Sequence, residues 1–452
     1  MMQPPLLELL DPQNLQLLAG LPPYDEAQVF AQSAALRKLG VSAELTATLL
    51  TQSRLRAKAQ AKFGPLAGQL LFTANGLEQA TRPVVAAHHA QRCLAAGCHR
   101  IADITCGIGT DSIALAQAGL IVLAVEIDPE TAAIAQYNST SFRDSAIPGP
   151  QGRRMTAGGA GLPRSSEQRR ISAQGPIEVV CGDGLAVARA RADELDGIYA
   201  DPARRERQAG AKRQQIFDPD AYLPPLGEVL AMREVIPAVG VKVAPVIPHD
   251  AVPTDCEAQW VSVDGDVVEC GLWFGPLAPN GPGKTALLIR TGHDGAAVSR
   301  LVTAATAANN QIEVGPVGEF LFEPDGAVIR AGLLGVAATE LGAHQLDPSI
   351  AYLTGNRSPA AGGPVPIATA YRVLDVMPLN IKQLKVYLKA RSVGRVTIKK
   401  RGTAVTPEQL RPQLALKGPN EATIVLTRIA DKHSIIIVEP IPNGEILRVR
   451  AE

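Results

Sequence analysis

Residues 101–128, IADITCGIGTDSIALAQAGLIVLAVEID, place the strongest constraint on what this 452-residue chain can fold into. A short apolar run, 101–104, carries one acid, Asp103. A glycine-rich turn follows, Cys106-Gly107-Ile108-Gly109, then a helix-compatible segment, 110–118, which Gly119 stops. Residues 120–125 form a second apolar run that ends in Glu126. Short continuous apolar runs bounded by glycine read as buried strands. The pattern therefore predicts strand, glycine turn, helix and strand with a terminal carboxylate, one half of a nucleotide-binding α/β unit. Glycine has no Cβ, so its backbone can approach a ligand closely, and a carboxylate at the second strand's end can accept both hydrogen bonds of a ribose diol.

Read as a dinucleotide fingerprint, Gly107-x-Gly109-x-x-Ser112 lacks its third glycine, although Glu126 lies near the roughly 20-residue offset such sites use. Asp103 stands four residues before Gly107. Asp-x-x-x-Gly-x-Gly after an apolar strand resembles the first motif of class I S-adenosylmethionine (SAM) methyltransferases, and Val125-Glu126-Ile127-Asp128 resembles the second. That resemblance implies a Rossmann-like α/β sheet. It assigns the glycine turn with Asp103, Thr105, Cys106, Gly107, Gly109 and Thr110 to the methionine part of SAM, and Glu126 with Ile127 to the ribose side.

Two downstream strands agree with it. The run 177–181 leads into Gly182-Asp183-Gly184, which resembles the third motif, where Asp183 accepts from the adenine amino group; a plain Asp-Gly turn is the alternative. The run 196–200 delivers Asp201-Pro202-Ala203-Arg204-Arg205 at its carboxyl end, where open α/β sheets place chemistry. This resembles the fourth motif of nucleic-acid amino-methyltransferases, Asp-Pro-Pro followed by an aromatic. It implies that Asp201 and the Pro202 carbonyl hold an exocyclic amine, with Asp201 also bordering the cofactor. Ala203 and Arg204 depart from the pattern; Arg204 can stack through its guanidinium plane or pair with phosphate. No cysteine lies near the motif, which disfavours methylation at carbon through a cysteine adduct. Upstream, Thr81-Arg82-Pro83 opens a helix before the first strand. By the same analogy Thr81 and Arg82 meet the methionine carboxylate, with a helix-start role for Thr81 as the alternative.

Formal charge balances at 44 basic against 44 acidic residues, so the whole chain has no bias toward polyanions. Aromatics make up only 4%, so the cores must be aliphatic. No apolar run reaches the length of a membrane span, the N-terminus lacks a signal-peptide pattern, and six cysteines without a Cys-x-x-Cys pair imply neither a disulfide scaffold nor a metal site. The expectation is a cytoplasmic protein without a structural metal. Residues 1–80 read as helices, with Asp25 and Ser42 as caps and Gly40 as a stop. One of these helices carries Arg54, Arg56, Lys58 and Lys62, as a solvated face or a nucleic-acid contact. Residues 145–175, rich in Gly, Pro, Ser and Arg, read as an insertion without a core. Asn280-Gly-Pro-Gly283-Lys284-Thr285 mimics a phosphate loop, but its first glycine is missing and no helix pattern follows.

The expected domains are therefore a helical region (1–80), a methyltransferase domain (81–290), a connecting α/β segment (291–365), and a small C-terminal α/β domain (366–452). From 371 to the end there are 15 basic and 7 acidic residues. Lys382, Lys385, Lys389, Arg391, Arg395, Lys399, Lys400 and Arg401 fall together with no acid among them. A small module with one basic edge suits contact with an RNA backbone. LKVYLKARSVGRVTIKKRG and NEATIVLTRI resemble the C-terminal THUMP-like domain of a family of bacterial class I methyltransferases. LRAKAQAKFG, GLEQATRPVVAAHHA and ADPARR resemble the same family. The resemblance implies a SAM-dependent methyltransferase, with structured RNA such as tRNA or rRNA as the expected partner. A small-molecule or protein acceptor, or a non-catalytic RNA-binding role, stands as the alternative; the oligomeric state stays open.

Overall fold

The computed structural model describes residues 5–141, 176–204, 221–292, 296–304, 312–358 and 365–441. The expected insertion at about 145–175 lies outside them. The chain divides into two compact units, one of Met1–Val243, Ile247–Glu257 and Gly271–Pro282, the other of Ala244–Val246, Ala258–Cys270 and Gly283–Glu452.

In the first unit the apolar runs are strands: β1 Arg100–Asp103, β2 Ile121–Glu126, β3 Ile177–Cys181 and β4 Gly197–Ala200. A short ladder pairs β5 Ala203–Arg204 with β6 Tyr222–Leu223, and β7 Ala238–Val243 follows. Strands β7, β4, β1, β2 and β3 lie side by side in that order, all parallel. Their residues are mostly buried, which is why they read as continuous rather than alternating apolar runs. Because β1 lies between β2 and β4, the strand order reverses there. Ligands of open α/β sheets bind at the carboxyl ends beside such a reversal. The glycine turn leaves β1 and Asp201 leaves β4, so the topology brings together two motifs that are far apart in sequence.

The helical N-terminal region starts its helices where the caps were read. Asp25 accepts from the Ala27 amide at 3.0 Å ahead of helix Val29–Lys38, and Ser42 accepts from the Leu45 amide at 3.1 Å to open helix Ala43–Phe63. Three of the four basic residues on the long helix serve the fold. Arg56 donates to the Leu70 carbonyl at 3.0 Å, Lys62 to the carbonyls of Leu77 and Glu78 at 2.9 and 3.2 Å, and Lys58 pairs with Glu78. Leu70, Leu71 and Phe72 are buried outside any strand, and side chains replace the missing ladder. Gln52 bonds both the amide and the carbonyl of Phe72, and Asn138 does the same for Leu71. Asn138 also donates to the Ile108 carbonyl at 2.9 Å, which ties this segment to the glycine turn.

In the second unit, β8 Glu257–Val263 and β9 Asp266–Phe274 make the expected hairpin. Its turn holds Asp264 and Gly265 at φ 53° and 94°, the two positive values a type I′ turn requires. The end of β9, Gly271–Phe274, belongs to the first unit, where β9 adjoins β7. β10 Gly283–Thr291 and β11 Ala297–Thr303 are antiparallel neighbours, so the phosphate-loop look-alike runs into a strand instead of a helix.

A seven-stranded sheet holds β12 Phe320–Pro324, β13 His344–Gln345, β14 Leu353–Gly355, β15 Ala368–Pro378, β16 Val393–Lys400, β17 Asn420–Ile429 and β18 Lys432–Pro440. Its order is β13-β14-β12-β15-β18-β17-β16. Here the boundaries differ from the expectation. β12 pairs with β15, so the segment expected to be a connector contributes strands to the C-terminal sheet: buried β12 needs hydrogen-bond partners on both edges and finds them in β14 and β15. The single helix expected over 325–341 is two, Gly326–Arg330 and Leu334–Leu341, separated at Gly332 with φ 71°. Helices Ile381–Ala390 and Pro407–Leu414 pack Leu384, Leu388, Leu410 and Leu414 onto Ile424, Leu426, Ile435 and Ile437. Val425, Ile436 and Val438 meet Tyr352 and Tyr371 in a separate core cluster, as strand alternation requires.

Each buried backbone group left unpaired costs about 1–3 kcal/mol, and Asn138 serves three. Asn138→Leu is therefore expected to lower the free energy of unfolding by about 3 kcal/mol or more, a loss that urea titration would measure.

Candidate active site

The turn after β1 is built by Gly107 at φ 54° and Gly109 at φ 89°, conformations that disfavour any residue with a Cβ. A Cβ on Gly107 would meet nothing within 4 Å, so that side of the turn is open to a ligand. Glu126 is held at its mouth: one carboxylate oxygen accepts from the Gly107 amide at 3.0 Å, the other from the Asp128 amide at 2.9 Å. Ile127 beside it is 62% exposed, an apolar surface at the strand end suited to cover a flat, partly apolar ligand. Thr110 begins the helix Thr110–Gln117 behind the turn. Open backbone, fixed carboxylate and exposed apolar side chain fit the groups of SAM that the sequence motifs imply.

Other candidates carry structural roles as well. Thr105 accepts from the Asp201 amide at 2.7 Å, bridging the ends of β1 and β4. Cys106 is buried, and its amide donates to the Val125 carbonyl. Asp183 is exposed at the end of β3 and caps helix Gly184–Ala190 by accepting from the Ala186 amide at 2.9 Å. A Cβ on Gly184 would lie 2.0 Å from the Ile104 carbonyl oxygen, so close packing against the first strand already demands glycine there.

Ser112, the residue in place of a third glycine, is fully buried, and its hydroxyl donates to Asp103 at 2.6 Å. Burial, reinforced by the nearby charge of Asp111, pushes the Asp103 carboxyl up to about 8. Burial also opposes ionisation of Asp111, but a 2.8 Å bond to His89 and the influence of Lys242 and Thr81 outweigh it and hold this carboxyl below its usual range. The His89 ring packs against both Tyr199 and Trp273, with centroids 5.1 and 5.5 Å away.

At the acceptor end, Asp201 pairs with Lys242 at 2.5 Å, and Pro202 is buried behind it. The pairing follows from register: Ala200 lies opposite Val241, so Asp201, just past the end of β4, comes beside Lys242 on β7. Lys242 also reaches the Thr81 hydroxyl at 3.2 Å and the Gln79 carbonyl at 3.4 Å. Thr81 is not the helix cap. Arg82 occupies the cap position of Pro83–Ala95 without a side-chain cap bond, since a guanidinium has no acceptor to offer the helix amides, and the Thr81 hydroxyl is engaged with Lys242. Burial, followed by repulsion from Lys242 and Arg82, lowers Lys62 to about 8. The backbone of Arg204 lies in β5, while its side chain and all of Arg205 lie outside the described residues. Sequence motifs did not reveal Lys242, His89, Asp111 or Ser112. Two of them left a trace, Lys242 as the single charge in the apolar run 239–245 and Ser112 as the residue in place of a third glycine.

The basic residues of the C-terminal domain divide into two groups. Lys382, Lys385, Lys389, Arg391, Arg395 and Lys400 are exposed, with Arg395 paired to Glu421 and Arg391 stacked 3.6 Å over the Tyr387 ring. Lys399 and Arg401 are half-buried: Lys399 pairs with Glu323 at 2.7 Å, and Arg401 lies over Tyr352. Among the described residues no cluster of His, Cys, Asp and Glu could hold a metal ion, and no helix is long and apolar enough to cross a membrane.

Comparison with known proteins agrees with this fold. Residues 368–440 match the THUMP domain-like family, and residues 5–59 match a domain of unknown function, DUF8688. The chain is 30% identical over 395 residues to an uncharacterized S-adenosylmethionine-dependent methyltransferase, Rv3037c, of Mycobacterium tuberculosis (strain ATCC 25618 / H37Rv). The alignment spans 84% of this chain and 92% of the relative; MT3122, from strain CDC 1551 / Oshkosh, matches equally. A crystal structure of a proposed methyltransferase from Porphyromonas gingivalis W83 shares the fold at a TM-score of 0.67 and 18% identity, covering 93% of this chain and 100% of that one. The chain is an enzyme of the class I α/β type. It belongs to the family of S-adenosylmethionine-dependent methyltransferases that carry a THUMP-like domain, and its cofactor is SAM.

One pH dependence follows from the site. Asp103 keeps its proton in the folded protein up to about 8 but ionises around 3.8 once unfolded. Its contribution to stability is therefore largest below that window and declines as pH rises through it. Asp103→Asn cannot ionise, so the melting temperature of the wild type relative to the variant is expected to fall from about pH 5 to about pH 8.

Proposed function

We propose that this methyltransferase acts in the cytoplasm on structured RNA, tRNA or rRNA, at an exocyclic amino group of a base. The observation that carries the RNA reading is the match of residues 368–440 to the THUMP domain-like family, in a module that exposes Lys382, Lys385, Lys389, Arg391, Arg395 and Lys400. Exposed cations on one helix and the adjoining strand suit phosphates, whose neutralisation makes binding steeply salt-dependent.

The amino-group reading rests on Asp201-Pro202 at the carboxyl end of β4. Bound SAM supplies a methyl group on a sulfonium, already activated for transfer. Asp201 and the Pro202 carbonyl accept hydrogen bonds from the amine and so direct its lone pair. The Asp201 carboxylate would stabilise the positive charge that grows on nitrogen as the nitrogen–methyl bond forms and the carbon–sulfur bond breaks to leave a neutral thioether, and the methylated amine would then lose its extra proton to solvent. On the cofactor side, Asp103, Gly107, Gly109, Thr110, Glu126, Ile127 and Asp183 surround the ligand, with Thr81 and Arg82 toward its carboxylate. Arg204 stands where related motifs carry an aromatic residue.

Mass spectrometry of RNA nucleosides from a deletion strain and its parent tests the reading. Loss of one methylated nucleoside supports it; identical nucleosides overturn it in favour of a small-molecule or protein acceptor. Asp201→Ala is expected to abolish methyl transfer while SAM binding, followed by calorimetry, is largely kept. Replacing Lys382, Lys385 and Lys389 together by alanine is expected to weaken RNA binding across sequences. The same change should flatten its salt dependence by about one unit of slope for each phosphate that is no longer neutralised.

A further inference from the structure

We infer that Lys242 is a positioning residue for methyl transfer, whose ammonium holds Asp201 and the Thr81 end of the preceding loop in one geometry and so couples cofactor binding to acceptor alignment. The inference rests on the reading of Asp201 as the residue that aligns the amine. Among its partners in the described residues are three oxygens: Asp201 Oδ2 at 2.5 Å, Thr81 Oγ1 at 3.2 Å and the Gln79 carbonyl at 3.4 Å. An ammonium has three hydrogens to donate, and its side chain here is only 15% exposed, which fits a fixed support better than a mobile charge.

The loop it holds is clamped from the other side too. Lys62 takes the carbonyls of Leu77 and Glu78, so two lysines from distant elements secure four oxygens between 77 and 81. Thr81 in turn supports Asp111, which is bonded to His89. Hydrogen bonds therefore join His89 to Asp111, and Thr81 through Lys242 to Asp201, with Thr81 near enough to Asp111 to help hold its carboxyl ionised. The loop proposed to receive the carboxylate of the cofactor and the acid proposed to receive the amine share one ammonium. A shift of either displaces the other, and a displacement of about 1 Å at a reacting centre can cost on the order of 100-fold in rate.

The test uses the full chain with Lys242→Met, nearly isosteric and neutral, and Lys242→Arg, which keeps the cation. SAM affinity is measured by calorimetry, and kcat and KM are measured on total RNA from a strain lacking the protein. Lys242→Met is expected to weaken SAM binding several-fold and to lower kcat on the order of 100-fold, with KM for RNA unchanged. Lys242→Arg should return kcat to within about tenfold of wild type, since a cation again faces Asp201. Wild-type SAM affinity in Lys242→Met, wild-type kcat in it, or equal losses in the two variants overturns the inference. If the wild type does not methylate this RNA, the RNA reading is what fails, and the calorimetric comparison by itself decides the role of Lys242. Should Lys242→Met not fold, Thr81→Val removes one of the three oxygens without exposing a buried charge. It is expected to lower SAM affinity and kcat together, and wild-type values for both overturn the inference.

Discussion

Three carboxyl groups crowd the carboxyl ends of β1 and β4, and the site depends on each being compensated differently. Asp103, the most enclosed, is favoured as the neutral acid by burial and bonded to Ser112. Asp111 keeps its charge beside His89. Asp201 has the Lys242 ammonium. A buried charge without a partner is too costly to persist, so these compensations allow acids to be concentrated in a largely apolar α/β rim. They also separate the acids by position: Asp103 and Asp111 are buried, while Asp201 is partly exposed at the end of β4.

The same principle governs the attachment of the N-terminal helices. Leu70, Leu71 and Phe72 enter the core without joining a strand, and Arg56, Gln52 and Asn138 supply the hydrogen bonds a neighbouring strand would otherwise provide. Through Asn138 and the Ile108 carbonyl, this region is joined to the turn that shapes the candidate cofactor site. The helical region is thus a structural part of the methyltransferase unit. In the C-terminal domain a shared sheet does comparable work, since β12 completes the edge of β15 and Glu323 on β12 takes up Lys399.

Much of this was legible in the chain itself. Buried parallel strands leave continuous apolar runs, turns with positive φ demand glycine, and the candidate acids follow the runs directly, so β1 to β4, Gly107, Gly109, Glu126 and Asp201 stood out. The SAM-dependent class came from those motifs and from the resemblance, and the comparisons agree with it. Less legible was the division of labour among the basic residues. Arg56, Lys62 and Lys399 resemble exposed cations in sequence, because nothing local distinguishes a lysine facing water from one that meets a carbonyl or carboxylate on another element.

What the sequence determined by itself was therefore local: which segments are strands, where the backbone must turn, and which acids end up at strand ends. Only the tertiary structure decided the partnerships. The register of β4 against β7 set Lys242 beside Asp201, and helix packing brought His89 to Asp111. The ordering of the C-terminal sheet made a connector into β12. Such pairings depend on which strands and helices become neighbours. Neighbours are chosen by the burial of whole faces, a property that no short window of residues contains.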